Sequence, residues 1–383
     1  MSQQSNLEIR VVKSITAISE DDWNRILPKD AGPFLQHAFL ALLEETGCVS
    51  IDTGWEPSHL ALYSTTDDEL LGVMPLYLKT HSYGEYVFDW SWAEAYAMNG
   101  LNYYPKALSA IPFTPATGSR LLASSKEHQE YLINGLLQFL TQFNISSAHV
   151  LFPSSIDTQL MEQSKFLRRE AIQFHWQNQQ FDNFDQFLAT LTMKRRKNIK
   201  RERQQVRDAG ITFLQVPGEQ MTEELVLFFY RCYAATYHER QSTPYLNQLF
   251  FQKWVQAMPE SLHFIIAKRA DQPIAAALLV VDKEHKKAYG RYWGALEHHS
   301  CLHFETAFYQ SIEYCISSGI EILEGGAQGE HKMARGFMPK IVCSYHYLTN
   351  PSFADAVERF LERERLGISA YRDDLAERTP LRE

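Results

Sequence analysis

Two stretches of the chain carry the same alternation of apolar and polar blocks. His59–Lys79 reads HLALYSTTDDELLGVMPLYLK, and His263–Lys283 reads HFIIAKRADQPIAAALLVVDK. Each is an apolar run, a polar turn and a second apolar run, which predicts a β-hairpin. A constant offset of 204 places His59 on His263, Asp67 on Asp271, Leu70 on Ile274 and Lys79 on Lys283. An aromatic strand is expected after each hairpin, Tyr86–Trp92 in the first half and Tyr289–Trp293 in the second. A helix near Glu127–Phe143 and a strand at Ala148–Phe152 follow in the first half. In the second, Phe304, Phe308, Ile312, Cys315 and Ile316 recur at helical spacing, Gly319 suits the cap, and Ile320–Leu323 reads as a short strand. Hairpin, strand, helix and strand on a mixed sheet is an α+β pattern, and its recurrence predicts two related domains.

Between the halves, Leu188, Leu191, Ile199 and Val206 form a narrow apolar seam. Thr192 is placed to cap a helix beginning at Met193, and Gly210 to end it. Arg196, Lys200, Arg203 and Arg207 then share one face. The expected division is a first domain over 1–181, a basic helical linker over 182–210 and a second domain over 211–383. Pro351–Glu377 reads as one amphipathic helix packed back on the body.

Length and charge sharpen this picture. At 383 residues and 45% apolar composition, the chain suits two domains with full cores. Net charge is −9, yet Lys194–Arg207 holds eight basic residues and one acid, a local +7 that leaves −16 to the rest. Such a stretch is either a solvated surface helix or a cationic track that meets an anion; uncompensated like charges favour the track. Cys48, Cys232, Cys301, Cys315 and Cys343 are odd in number and scattered, which argues against a disulfide scaffold. The longest apolar run, Ile274–Val281, is too short to span a bilayer, and MSQQSNLEIR lacks a signal-peptide core. A cytoplasmic location with no transmembrane segment is therefore expected.

The densest chemistry lies in Cys301–Pro339. His303 and Glu305 open it; Glu324, Gly325, Gly326, Gln328, Gly329, Glu330, His331, Lys332 and Arg335 close it beyond a strand. The glycines permit a sharp turn and close approach to a ligand, and Lys332 and Arg335, one helical turn apart, suit a phosphate or carboxylate. An ordinary charged surface loop is the competing reading. His298, His299, Cys301 and His303, with His331, Cys343 or His346, have the residue types of a zinc site but not its spacing, so no metal is expected. No GxSxG motif supports a serine nucleophile. In the first half, Thr117, Gly118, Ser119 and Arg120 could cradle a phosphate at a helix N-terminus, or form a plain turn. Asp89 and Trp92, in the polar and aromatic segment Lys79–Asn99, suit a substrate wall or a half-buried strand equally.

Several blocks together, HSYGEYVFDWSWA, YYPKALSAIPFTPATGSRLL, QFHWQN, KRRKNIKRER, YGRYWGA, LHFETAFYQSIEY and GAQGEHKMARGF, resemble a bacterial family of peptidoglycan biosynthesis/recognition proteins, also described as N-acyltransferases. The resemblance runs from about Trp23 to Leu361. It implies two tandem GNAT-like domains with mixed, mostly antiparallel sheets flanked by helices. It also implies kinship with the Fem-type aminoacyl ligases, which take aminoacyl-tRNA as donor and attach amino acids to peptidoglycan precursors.

On that resemblance the expected activity is transfer of an acyl or aminoacyl group, from acyl-CoA or aminoacyl-tRNA, to a small-molecule or peptide amine. No tightly bound cofactor is expected. Glu305 is the expected base, on the reasoning that burial beside His303 would raise its pKa; His331 is the alternative, and a helix N-terminal carboxylate the competing role for Glu305. Lys332, Arg335, Gln328, Asp89, Trp92 and Arg291 would bind substrate. Thr117–Arg120 would hold the pyrophosphate of acyl-CoA. Arg196, Lys200, Arg203 and Arg207 would hold tRNA, with steep salt dependence. A non-catalytic module that recognises a peptide or peptidoglycan-type ligand in an inter-domain cleft is the second reading.

Overall fold

The computed structural model describes residues 6–327 and 329–382. The chain forms two compact units. The first comprises Met1–Ala171 and Val342–Ser369, the second Ile172–Ile341 and Ala370–Glu383. These bounds differ from the sequence-based division in two ways. The basic helix belongs to the second unit, because its seam residues Ile199 and Val206 are buried in that unit's core. Most of the C-terminal helix, Pro351–Glu377, belongs to the first unit, where Val357 and Leu361 pack against Trp92 and Tyr96.

In the first unit, Leu7–Val12, His59–Ser64, Leu70–Met74 and Leu122–Ala123 form an antiparallel sheet. The expected hairpin is present as His59–Ser64 against Leu70–Met74. Beyond Pro75 the chain leaves this sheet, and Tyr77–Lys79 pairs instead with Trp55–Pro57 and Lys106–Ser109. Lys106–Ser109 also runs parallel to Ser147–Leu151, with the helix Lys126–Gln142 in the connection. That helix is capped by Ser125, which accepts from the His128 amide, and it buries Leu132, Leu136 and Phe139 on the sheet. The aromatic strand expected at Tyr86–Trp92 is absent. Gly84 (φ +81°) and Tyr86 (φ +63°) interrupt an extended path, and a helix, Trp90–Met98, begins there.

In the second unit, Ile211–Pro217, Leu262–Arg269, Gln272–Asp282 and Lys287–Ala295 form an antiparallel meander. Ala270 and Asp271 turn the central hairpin with φ of +45° and +62°, the sense that matches strand twist in a two-residue loop. Lys287–Ala295 then pairs in parallel with Ile322–Ala327. Between them, Leu302–Ser317 is helical, with a π-helical turn over Glu305–Tyr309. Ile322–Ala327 pairs on its other edge with residues 173–177 of the strand Leu167–Gln177. Among the described residues, each unit thus holds a parallel strand pair joined across a helix. The basic helix spans Met193–Asp208, beginning where the sequence predicts, although Thr192 at its N-cap makes no side-chain capping hydrogen bond.

Candidate active site

The parallel pair in the second unit is short. Its register runs Lys287↔Ile322, Ala288↔Leu323 and Tyr289↔Glu324, and there it ends. Both strands carry an irregularity at that point. On the first, Leu278 faces Tyr292 while Leu279 faces Gly290, so Arg291 is an extra residue. On the second, Glu324 faces His175 and Ala327 faces Gln173, so one extra residue lies in the Gly325–Gly326 stretch. Bulges bend strands and re-aim side chains. Here they open a fork between Gly290–Ala295 and Gly325–Ala327, and no strand among the described residues pairs with the edges that face it. The glycines are required: a Cβ on Gly325 would stand 2.8 Å from the Phe174 carbonyl oxygen, and Gly326 has φ +76°.

Glu324 sits at the base of this fork and is 8% exposed. Burial raises its carboxyl to about 7, against the opposing pull of Lys287 and Arg291. Tyr289 and His175 are its register partners on the two neighbouring strands, so all three occupy one face of the sheet. His175 is lowered to about 4 by burial and by the charges of Lys340, Lys332 and Lys287. A carboxylate poised near neutrality thus lies within reach of the charges of Lys287 and Arg291.

The expected base, Glu305, lies elsewhere in the unit. Its carboxylate accepts from Arg203 Nε at 3.1 and 3.2 Å and from Gln310 Nε2 at 2.8 Å. The same guanidinium donates to Glu313 at 2.9 and 3.0 Å. Glu305 is therefore committed to holding the basic helix against the π-helical turn. The expectation that its burial goes uncompensated omitted this cation.

His303 and His331 do come together, with ring centroids 6.3 Å apart. His303 stacks on Trp293 at 4.7 Å, and burial lowers it to about 4, helped by His331, Arg335 and Lys332. His331 is exposed and is also lowered, first by partial burial and then by Arg335 and Lys332. Lys332 and Arg335 face inward. The Lys332 ammonium donates to the carbonyls of Gly325 (2.6 Å) and Gly326 (3.4 Å), fixing the glycine turn. The Arg335 guanidinium covers the Phe304 ring at 3.4 Å and donates to the His331 carbonyl and to Glu202. Both shape the loop that carries His331. Arg291 lies at the fork, as described above; Gln328 lies outside the described residues.

The Thr117–Arg120 turn in the first unit already holds an anion, and it belongs to the chain. Ser119 Oγ donates to both Asp157 oxygens at 3.1 and 3.3 Å, and the Arg120 amide donates to the same carboxylate. The Arg120 side chain is fully buried and spends its donors on the carbonyls of Ala116, Gly118, Ser119 and Leu151. Thr117 is exposed and Gly118 half-buried. The nearest following helix starts only at Lys126, so no helix N-terminus opens here.

On the basic helix, Arg203 is withdrawn by its two carboxylates. Lys200 is exposed beside Asp185 at 3.4 Å, Arg207 is exposed beside Gln204, and Arg196 is half-buried. Lys194, Lys197 and Arg201 are also exposed, so a cationic strip remains. Asp89 and Trp92 lie in the first unit, in a buried polar cluster with Lys106, Tyr103 and His149. Among the described residues, no group of three His, Cys, Asp or Glu side chains is arranged to hold a metal, and no helix is long and apolar enough to cross a membrane.

Sequence reasoning placed Glu324 in the constellation but gave it no role; Lys287 and His175 were missed. The available signal was parity, since Glu324 precedes a Gly-Gly pair at the end of a strand whose alternate residues face the core.

The fold is that of known structures at low sequence identity. The crystal structure of FemX aligns with a TM-score of 0.54 and 11% identity, covering 92% of this chain and 100% of that one. The DUF2156 C-terminal domain of an Agrobacterium fabrum protein aligns at 0.52 and 9%, covering 91% and 96%. L-PGS from Bacillus licheniformis aligns at 0.50 and 10%, covering 84% and 95%. No curated protein sequence matches. The architecture is α+β, with two units and mixed, mostly antiparallel sheets flanked by helices. Residues 14–383 match the FemAB_like family, described as peptidoglycan biosynthesis/recognition, and the chain belongs to that family.

Proposed function

We propose that the second unit transfers an acyl or aminoacyl group to an amine, with Glu324 as general base at the strand fork. The observation that carries this reading is the coincidence of a parted strand pair with a carboxyl raised to about 7 at the point of parting. The family description supports a peptide amine of a peptidoglycan-type precursor as acceptor.

The chemistry follows from these groups. An amine attacks only when neutral, and a carboxylate with a pKa near 7 removes its proton effectively at neutral pH. The amine nitrogen bonds to the carbonyl carbon of the donor, and charge develops on the carbonyl oxygen. Backbone N–H groups along the unpaired fork edges are the donors for that oxyanion. Collapse forms the amide and breaks the C–O bond of an aminoacyl ester or the C–S bond of a thioester. The proton taken by Glu324 is the one the departing oxygen or sulfur recovers. Lys287 and Arg291 restrain the carboxyl from rising further and offer charge to an anionic substrate group.

Of the two donors, aminoacyl-tRNA fits better. The turn expected to hold a CoA pyrophosphate is filled by Asp157, whereas the basic helix keeps exposed cations. The test is a two-donor assay with charged tRNA or acyl-CoA and a peptidoglycan precursor peptide bearing a free amine. Acceptor-dependent release of uncharged tRNA, lost in Glu324→Gln, is the expected result. No turnover with either donor, alongside tight binding of the precursor peptide, would overturn transfer in favour of non-catalytic recognition.

A further inference from the structure

The first unit contains a polar centre that the transfer chemistry does not use. Lys106 is fully buried, and its ammonium donates to Glu85 at 2.7 Å, to Ser82 at 2.8 Å and to Asp89. Tyr103 donates to the same Asp89 oxygen at 2.6 Å. Glu85 is 4% exposed and Asp89 2%. Each carboxylate uses one oxygen in this way. The second oxygen of each, Glu85 Oε1 and Asp89 Oδ1, is buried with no hydrogen-bond partner.

Two more polar atoms in the same neighbourhood are unmatched. Asp89, Trp92 and Tyr96 follow one face of the helix Trp90–Met98 and its first flanking residue at spacings of three and four. Trp92 Nε1 and the Tyr96 hydroxyl are also buried without a partner. Asp89 stands at the N-cap position, yet it makes no capping hydrogen bond; its side chain turns to Lys106 instead. A buried polar atom without a partner is costly, and more so when it belongs to a charged group. Four of them fall within Glu85–Tyr96, two carboxylate oxygens and two donors, and together they match the polar ends of an ammonium beside a carbonyl or carboxylate. The segment leading into the cluster also exposes Tyr83, Phe88 and Trp90, with Tyr83 and Trp90 in edge contact at 4.9 Å. Exposed aromatic faces beside buried carboxylates suit a cation.

The nearby cations leave these two oxygens unserved. The Lys106 ammonium is fully engaged, and burial raises Glu85 to about 7, so its carboxyl carries part of a charge at neutral pH. A second nearby lysine, Lys79, is fully buried over the Trp55 ring at 3.9 Å, and its nitrogen lies 3.3 Å from His81 Nδ1 and from the Tyr83 carbonyl. Burial lowers Lys79 to about 7, so it supplies only part of a charge at neutral pH. Arg169, 5.3 Å over the Trp92 ring, spends its guanidinium on Glu364 and the Phe88 carbonyl, so neither of these cations makes a hydrogen bond to Glu85 Oε1 or Asp89 Oδ1.

We propose that this centre binds the amino end of an amino acid or short peptide, its ammonium on Glu85 Oε1 and Asp89 Oδ1 and its adjacent carbonyl or carboxylate on Trp92 Nε1 and Tyr96 OH. The site stands whether or not the second unit transfers acyl groups.

The test is calorimetric titration of the full chain with L-alanyl-L-alanine and with its N-acetylated counterpart. Binding of the free amine and none of the acetylated peptide is expected. Glu85→Gln should weaken it roughly ten- to hundred-fold, the loss of one charge-assisted contact. Because buried substitutions can impair folding, the surface variant Phe88→Ala is the second arm; it should weaken binding while leaving thermal unfolding unchanged. A crystal structure of the chain grown with the dipeptide should show its nitrogen on Glu85 Oε1 and Asp89 Oδ1. Ordered water on those two atoms, with no heat from the free amine at millimolar concentration, would overturn the proposal.

Discussion

Arg203 Nη2 lies 3.0 Å from Glu305 Oε1, and that ion pair joins the basic helix to the helix expected to carry the catalytic base. The pair is only slightly exposed, at 15% and 4% of the two side chains. Removing one partner of such a pair leaves the other charge desolvated, which costs more than the pair itself contributes. Arg203 retains Glu313, which softens the loss. Glu305→Ala should lower stability by about 1–3 kcal/mol in urea denaturation while turnover per folded molecule is retained. A variant of full stability with no turnover would return Glu305 to the reacting atoms.

Glu324→Gln should behave in the opposite way. The amide fills the same space and removes an ionisation that burial already makes costly, so stability should hold or rise. Activity should fall by a factor of 100 or more, on the order of a lost general base. In the wild type the base must be ionised to act, so kcat/KM should fall as pH drops below about 7 and level off above it. The variant's residual rate should lack that limb. An unchanged pH profile in Glu324→Gln would remove the carboxyl from proton transfer.

The contrast between Glu305 and Glu324 marks what a single sequence can convey. The basic helix is legible to the residue, because its apolar seam and the glycine that ends it, Gly210 (φ +70°), act within the segment itself. The hairpin Leu262–Arg269 with Gln272–Asp282 and the long last helix are legible for the same reason. Tyr86–Trp92 misleads because aromatic density suits a strand or the buried face of a helix, and the positive φ of Gly84 and Tyr86 decides for the helix. Arg203 reads as one cation among eight until the fold delivers Glu305 and Glu313 to it from over a hundred positions away. Ser119 and Arg120 read as a phosphate turn until Asp157 arrives to fill it. Local capping and periodicity survive in sequence; which charge neutralises which is settled by long-range pairing.

A buried imidazole pair in the first unit sets an acid limit on its stability. His149 and His346 share a 2.7 Å contact between their Nδ1 atoms, and each ends on a serine, Ser147 and Ser344, at 2.8 Å. Burial lowers His149 to about 3, with Lys106 adding to it, and burial and His149 push His346 well below its ordinary value. Both are neutral when folded and take up protons below about 6.5 when unfolded, so the native state loses stability as pH falls below 6.5. At pH 5 the loss from His149 alone is roughly 2 kcal/mol. Glu85, Glu324 and Asp157, raised by burial, act with opposite sign, so the test is a difference. Unfolding free energies of wild type and His149→Asn at pH 7.5 and 5 should converge towards the acid end; parallel curves would show that the pair does not titrate on unfolding.

The exposed cations of the basic helix determine whether the donor is a nucleic acid. Lys197 and Arg201 are exposed, whereas Arg203 is spent on Glu305 and Glu313. If aminoacyl-tRNA lies along this helix, the logarithm of its affinity should fall linearly and steeply with the logarithm of salt concentration. Replacing Lys197 or Arg201 by Ala should reduce that slope by about 0.7–0.9 for each phosphate contact removed, with little effect on folding. Arg203→Ala should reduce stability first, because its loss leaves two carboxylates without their cation. Filter-binding of charged tRNA to the three variants across a salt series separates these outcomes. A shallow slope shared by all of them, with acyl-CoA turnover intact, would assign the strip to solvent and the donor to a small thioester.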